Sequence, residues 1–254
     1  MIYTYAYRNR SLSKFLPEYM SILTEATTQG YTLPSADQQV KQNLFIQTLK
    51  SNGVWDKSDL ILVPANNGSK EFACINWKNP SGVKATLVNS PTWTSNAGFT
   101  GNGTSSYILT GYNPDGTKNY KNNDASRYMY VRTATTNKVL DGVEANTTNG
   151  LTTFISTFQR INQSGNNLSF SMDYNGVGMK SIHRTSSTNV NCYNDNILSG
   201  GTATSLGLSG SEQVILRSAS GYGTAQISFY LMGSSLVSEN SSLVTAFSTY
   251  LNSL

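Results

Sequence analysis

Few side chains in this sequence are suited to acid–base or nucleophilic chemistry, and those few are dispersed. The single histidine, His183, precedes Arg184, and Tyr193 follows a turn-forming stretch, Ser186-Ser187-Thr188-Asn189. If that stretch closes a hairpin, His183 and Tyr193 lie on adjacent strands, as the base and neutralising group of a polysaccharide lyase would. A lone histidine on a strand is more often a hydrogen-bonded wall residue. Asp141 and Glu144 are the close acidic pair in the middle of the chain, and Gly142 and Ala145 around them suggest a turn. A glycosidase needs two carboxylates facing each other across a cleft, and this spacing does not supply them. Nothing matches a nucleophile elbow, a phosphate-binding loop or a dinucleotide turn. Gly98, Gly101 and Gly103 lack the strand-to-helix setting and read as a β loop. The chain is expected not to be an enzyme, with a lyase built on His183 and Tyr193 as the remaining catalytic reading.

Binding chemistry is better represented. Asp115, Asn119, Asn122, Asn123 and Asp124 crowd one loop, a composition that can hold calcium. Lys118 and Lys121 interleave with these acids and offset their charge, and turn chemistry accounts for the Asn and Asp residues. No cofactor is therefore expected, and calcium at this loop is the one ion considered. A saccharide stacks its C–H face on an aromatic ring while amide, carboxylate and guanidinium groups fix its hydroxyls, in a shallow preformed site. Tyr112 and Tyr120 flank the Asn/Asp loop, Tyr193 precedes Asn194-Asp195-Asn196, and Tyr222 sits within Ser220-Gly-Tyr-Gly223, all read as turns. The candidate glycan contacts are thus Tyr112, Asp115, Tyr120, Asn123, Asp124, Tyr193, Asp195 and Tyr222.

Composition supports binding over catalysis. Only 13% of the 254 residues are charged, with a formal balance of +4, whereas Ser, Thr, Asn and Gly supply 110. Fifteen tyrosines and an aromatic content of 11% exclude a disordered chain and provide a core. No block of like charge marks a nucleic-acid or membrane partner. No apolar run approaches the roughly 20 residues that span a bilayer, and the first twenty residues, which include Arg8, Arg10 and Lys14, contain no signal-peptide core. Synthesis in a cytoplasm is the expectation. Cys74 and Cys192 stand far apart without metal-ligand spacing and read as buried free thiols.

These residues must be positioned by two kinds of element. Leu16-Pro17-Glu18 opens a helix whose apolar stripe is Tyr19, Ile22, Leu23 and Ala26, ending near Gly30. Ser35 caps a second helix with Val40, Leu44, Phe45 and Leu49 as its apolar face, running to Gly53. Two short amphipathic helices must dock on a sheet, a sister chain or a larger assembly. From Glu71 onward, short alternating runs read as strands: 72–78, 106–110, 127–132, 153–158, 168–174, 213–217 and 225–231. Turn clusters of Gly, Pro and Asn, among them 163–167, separate them, as in an all-β sandwich. Ser238 caps a closing helix carrying Leu243, Val244, Phe247, Tyr250 and Leu251.

The closing segment, Ile227-Ser-Phe-Tyr-Leu-Met-Gly-Ser-Ser-Leu-Val through Leu254, resembles the end of concanavalin A-like, laminin-G-like jelly-roll domains. The stretch Phe72–Pro80 together with Asn96–Tyr107 resembles the opening strands of the version found in bacteriophage virion proteins, notably of phages infecting Bacteroidetes. Ile46–Lys57 is similar to the helical lead-in of those domains. The resemblance implies a mainly β jelly-roll (concanavalin A-like) sandwich over 71–254, with a helical attachment or oligomerisation segment over 1–70 and a C-terminal helix. It further implies a virion structural protein on the particle surface, as spike, fibre or decoration, made in the bacterial host cytoplasm. Its partners would be other capsid or tail proteins, sister copies in a homo-oligomer with a trimer favoured, and host-surface polysaccharide. A ligand-free decoration subunit is the other non-enzymatic expectation.

Overall fold

In the computed structural model, residues 15–133, 139–143, 151–155, 158–163, 168–169, 176–219 and 221–254 are described. Helix α1 (Pro17–Thr28) starts with proline in its first turn, where a missing N–H is no loss, and buries Tyr19, Ile22, Leu23 and Ala26. Helix α2 (Ala36–Ser51) is capped by Ser35, whose Oγ accepts from the Gln38 N–H. Its buried face is Gln38, Gln42, Phe45, Ile46 and Leu49, so the expected stripe is half corrected: Val40 and Leu44 are 52% and 56% exposed. Gln42 sets this rotation, accepting from the Tyr19 hydroxyl at 2.7 Å and donating to the Tyr250 oxygen at 3.3 Å. A short α3 (Val54–Lys57) leads into the sheets, and α4 (Asn240–Asn252) closes the chain with Glu239, not Ser238, at its N-cap.

The strands in chain order are β1 (Ser58–Leu62), β2 (Thr86–Val88), β3 (Thr92–Thr94), β4 (Gly98–Thr100), β5 (Tyr107–Leu109) and β6 (Ala125–Val131). There follow β7 (Val139–Val143), β8 (Leu151–Ile155), β9 (Phe158–Gln163), β10 (Leu168–Ser169), β11 (Gly178–Arg184) and β12 (Asn189–Asn194). The last are β13 (Ile197–Thr202), β14 (Gln213–Ile215), β15 (Arg217–Ser218), β16 (Gly221–Tyr222) and β17 (Gln226–Gly233). One antiparallel sheet runs β13-β12-β11-β6-β17-β4-β3, with β1 also paired to β17; the other runs β10-β9-β8-β7-β14-β5-β2. They stack as a β sandwich of the jelly-roll class, as expected.

The first sheet has apolar residues on both faces. Along β1, Leu60 and Leu62 enter the core between the sheets, while Ile61 and the following Val63 enter a second core beneath the helices. β6 divides the same way, with Met129 and Val131 inward and Tyr128 toward the helices. Phe45 is central to the helical layer, stacked on Tyr250 at 5.3 Å and edge-on to Trp77, Phe229 and Phe247 at about 6 Å. The partner that the N-terminal helices require is therefore this sheet and α4.

Three expectations are corrected. A boundary at 70/71 cuts through the sandwich, because β1 pairs along β17 with Leu60 opposite Met232 and Leu62 opposite Tyr230. The stretch read as a strand over 72–78 is a 3-10 turn at Phe72–Cys74; its tighter winding sends Phe72, Ile75 and Trp77 to the helical core and Ala73 and Cys74 to the sandwich core. Asp141 lies in β7 instead of a turn. There Gly142 lets β15 approach, since a Cβ would stand 2.7 Å from Ser218 Cβ. Glu144, the turn residues 164–167 and the stretch 170–174 fall outside the described residues. Cys74 and Cys192 are buried free thiols.

An ion pair crosses the sandwich. Arg127 of β6 donates through Nη1 to both oxygens of Asp141 at 2.8 Å, and both side chains are fully buried. Asp141 Oδ2 also accepts from the Tyr230 hydroxyl at 2.7 Å and from Gln213 at 3.2 Å, and Arg127 Nη2 donates to the Arg160 carbonyl at 2.8 Å. Breaking such a pair strands a charge in a dry interior. Asp141→Ala should lose about 3–5 kcal/mol in urea unfolding, whereas Arg127→Met combined with Asp141→Leu should recover much of that loss. Equal destabilisation in the single and double variants would count against the pair.

Candidate functional site

The loop rich in Asn and Asp sits where β1 and β6 begin and β17 ends, and it is held from below. Asp59 of β1, almost enclosed, accepts three hydrogen bonds: from the Asn119 N–H at 3.1 Å, the Tyr120 N–H at 2.8 Å and the Tyr112 hydroxyl at 2.8 Å. Asn162 supports the far side, accepting from the Tyr120 hydroxyl at 3.0 Å and donating to the carbonyls of Lys121 and Asn122. Within the loop, Asp115 accepts from both the N–H and the hydroxyl of Thr117, which together hold its carboxyl below the usual range. Lys121 N–H donates to the Asp124 carbonyl at 2.8 Å, and Asn119 donates to the Asp56 carbonyl at 2.9 Å. Asp124 Oδ1 receives the Ser235 N–H at 2.7 Å, tying the loop to the end of β17.

These contacts shape a polar cleft of about 620 Å³, lined by Asp59, Thr117, Lys118, Asn119, Lys121, Asp124 and Ser234. Its walls offer ammonium, hydroxyl, amide and carboxylate groups at fixed positions, which suits a polar ligand with many hydroxyls. The backbone under it is anchored on both sides, so little ordering is left for a ligand to impose. Among the described residues no group of three His, Cys, Asp or Glu side chains converges on a metal position. The side chains of Asp115, Asn119, Asn123 and Asp124 are engaged in bonds that hold the loop, Asp115 within it and the others to Asp56, Ser205 and Ser235 outside it, with Asn123 accepting from the Ser205 hydroxyl at 2.6 Å.

The structure sorts the expected contacts. Asp115, Asn123 and Asp124 are exposed on this one loop. Tyr112 and Tyr120 flank it as anticipated, but they are anchors, not platforms: their rings lie in the sandwich core at 4% and 0% exposure. Burial pushes both hydroxyls to higher pKa, and the Asp59 charge adds to this at Tyr112. Tyr193 and Tyr222 lie in strands β12 and β16, not turns. Tyr193 is nearly buried against His183, with ring centroids 5.3 Å apart. Asp195, at φ +52°, accepts the Met179 N–H at 2.7 Å and organises the β12–β13 turn. Tyr222 is half-buried on the second sheet's side, near Tyr107 and the Arg217 guanidinium, away from the cleft. Of the residues lining the cleft only Asp124 is among the expected contacts; Asp59, Thr117, Lys118, Asn119, Lys121 and Ser234 were missed, and only an acid at the start of the apolar run Asp59–Val63 hints at Asp59.

The catalytic reading of His183 is corrected as well. The hairpin forms, with Ser181 opposite Tyr193, yet His183 is fully buried. Its Nδ1 accepts the Leu236 N–H at 3.3 Å, so the proton resides on Nε2, which meets Ser181 Oγ at 3.0 Å. Ser181 in turn donates to Asn240 at the start of α4. Sealed from solvent and committed at both nitrogens, this imidazole has no path to a substrate. Burial drops its pKa to about 3.

No protein-family model matches the chain, and no curated protein sequence does. Among solved structures, the botulinum neurotoxin DC binding domain in complex with SialylT is similar at 13% identity and a TM-score of 0.50, over 76% of this chain and 52% of that one. Botulinum neurotoxin type C, described as entering cells through two ganglioside molecules, is similar at 12% identity and 0.52, over 78% and 52%. The serotype D binding domain is similar at 11% and 0.50, over 76% and 52%. They share its fold. The chain spans about half the length of these toxin structures, and at such identities the likeness concerns architecture alone.

Two measurements test the site's construction. Asp59→Ala should leave the sandwich folded while amide exchange at Asn119 and Tyr120 speeds up at least tenfold; unchanged protection would show that Asp59 does not hold the loop. His183 binds its proton less readily folded than unfolded, so stability is full above about pH 6.5 and is lost as the pH falls toward 3. Between pH 7 and 5 the His183→Gln protein should show a flatter decline than the parent, whose His183 contribution approaches about 1.4 kcal/mol per pH unit.

Proposed function

We propose that this chain is a carbohydrate-contacting jelly-roll module of a bacteriophage particle, which meets host-surface polysaccharide through the cleft above Asp59. The cleft itself carries the proposal: a preformed, solvent-facing concavity whose Lys118, Asn119, Lys121, Asp124 and Ser234 side chains are of the types that bind sugar hydroxyls. The fold shared with toxin binding domains solved with SialylT or known to use gangliosides supports the choice of ligand class. The sequence resemblance to virion jelly rolls, and a surface built of Ser, Thr and Asn with little charge, support display on a particle. Such a surface favours wet, neutral hydrogen bonding over burial of apolar area.

Binding without turnover is part of the same reading. The sequence's one histidine is enclosed, and Asp141, half of its close acidic pair, is locked to Arg127. Display in several copies, with a trimer expected, would multiply weak single-site contacts.

On an immobilised array of bacterial surface polysaccharides, the purified chain should bind a subset and release no fragments from them. Asp124→Ala should weaken binding roughly three- to tenfold, the range for loss of one exposed polar contact, while Tyr222→Ala should not. Cleavage of any bound polysaccharide, or an equal loss in both variants, would overturn the assignment. Light scattering of the same preparation tests the trimer. Antibody labelling of intact particles tests display, and failure to label would remove the virion part.

A further inference from the structure

The charges around the cleft are unequally committed, and this restricts the saccharide it takes; the inference rests on the cleft being a saccharide site. Three carboxylates lie in or beside it. Asp59 is enclosed and saturated by three donors, Asp115 holds the Thr117 N–H and hydroxyl, and Asp124 accepts the Ser235 N–H through one oxygen. Each already accepts hydrogen bonds from the chain's own neutral donors, and Asp124 keeps one oxygen open.

The two cations differ. Lys118 and Lys121 are exposed, three residues apart, and both line the cleft. Of the other lysines among the described residues, those at positions 41, 50, 57, 70 and 84 have a carboxylate within 4.0 Å, Lys78 is half-buried with its ammonium on the Trp55 carbonyl and over the Trp55 ring, and Lys180 is buried with its ammonium on Asn194. What sets the cleft pair apart is exposure without such a carboxylate. Lys118 and Lys121 are in no such pair among the described residues. Lys121 Nζ donates to the Gly116 carbonyl at 2.5 Å, which fixes the ammonium over the loop and leaves two of its three N–H donors for a ligand. Lys118 Nζ stands 5.4 Å from the Tyr112 ring centroid, a cation–π contact with an aromatic that is itself pinned to Asp59. Both ammonium groups are thus restrained at the cleft with no carboxylate within 4.0 Å, Asp115 acting on Lys118 from farther off.

We infer that the saccharide bound here is acidic, carrying a carboxylate or sulfate that sits between Lys118 and Lys121. Its neutral hydroxyls meet Thr117, Asn119, Ser234 and the free oxygen of Asp124. Two ammonium groups against one anionic substituent also explain why a chain of low overall charge keeps exposed lysines at this loop.

The test uses the full chain on an array that places uronate-, sialate- and sulfate-bearing glycans beside neutral ones of matched length. Binding should concentrate in the acidic set, with uronate against sulfate hits distinguishing the two sources of the anion. The selected glycan should bind about threefold to tenfold more weakly to Lys118→Ala and to Lys121→Ala. Lys70→Ala, exposed elsewhere, should match the parent, and raising salt from 50 to 300 mM should weaken the parent's binding. Hits confined to neutral glycans, or no effect of salt and of either variant, would overturn the acidic preference while leaving a saccharide module in place. Silence across the whole array would overturn the saccharide reading itself. An equal loss in Lys70→Ala would reduce the binding to a diffuse charge effect and overturn the proposal. Both lysines are exposed, so the variants should unfold with the parent's midpoint; if one does not, the salt dependence of the parent decides.

Discussion

A buried charge must be matched by groups that face it from several directions, and the sandwich is arranged around that requirement. Asp141 enters a dry interior on β7, where an unmatched carboxylate would not remain ionised. It is met by Arg127 from the opposite sheet, Tyr230 from β17 and Gln213 from the adjacent strand β14. These partners come from three strands and Asp141 from a fourth, so the pairing registers and the stacking of the two sheets cannot shift independently. A one-residue slip of β6 would turn Arg127 toward the helical layer and leave Asp141 without its counter-ion. Arg184 adds a second tie, donating to carbonyls of Ile161 and Ala203. Buried ion pairs are weak contributors to net stability, and what this pair adds is a penalty on any arrangement that leaves either charge unmatched.

The cleft applies the same physics at the rim. Asp59 does for the loop what Asp141 does for the sheets: a nearly buried acceptor recruits two backbone N–H groups and a tyrosine hydroxyl, and so fixes a ten-residue loop that has little regular structure. The helical layer contributes indirectly. By covering the outer face of the first sheet, α1, α2 and α4 keep β1 and β17 in a buried, paired state; β1 supplies Asp59 to the cleft, and Ser234 follows directly on β17. Rigid sheets with a binding loop at their edge are a common division of labour in proteins.

Much of the architecture was legible in the sequence. Local signals wrote the helices: proline in a first turn, Ser35 as a cap, and stripes at spacings of three and four. The α1 stripe matches its buried residues, and α4 differs in the cap and at Leu251, which is only partly buried while Ala246 takes a place in the core. Helix α2 failed because its core contacts run through Gln38 and Gln42, and amides that bury only because Tyr19 and Tyr250 await them carry no signal in a hydrophobic pattern. Phe72–Lys78 alternates like a strand, yet a layer of core on each side of the chain is satisfied as well by a tight turn. The site divided similarly. The loop was identifiable from its Asn and Asp residues, but Tyr112 and Tyr120 were read as exposed, because a tyrosine in a turn reaches outward or inward according to whether an acceptor waits inside. Asp59 and Asn162 are those acceptors, each more than forty residues away in sequence.

The most direct measurement is a titration of the isotopically labelled chain with a saccharide it binds, following each backbone amide by NMR. If the cleft above Asp59 is the binding site, the amides of Thr117, Lys118, Asn119, Lys121, Asp124 and Ser234 shift together and saturably while those of Tyr193 and Tyr222 stay fixed. Shifts centred on Tyr222 and Arg217, with the loop unchanged, would contradict it.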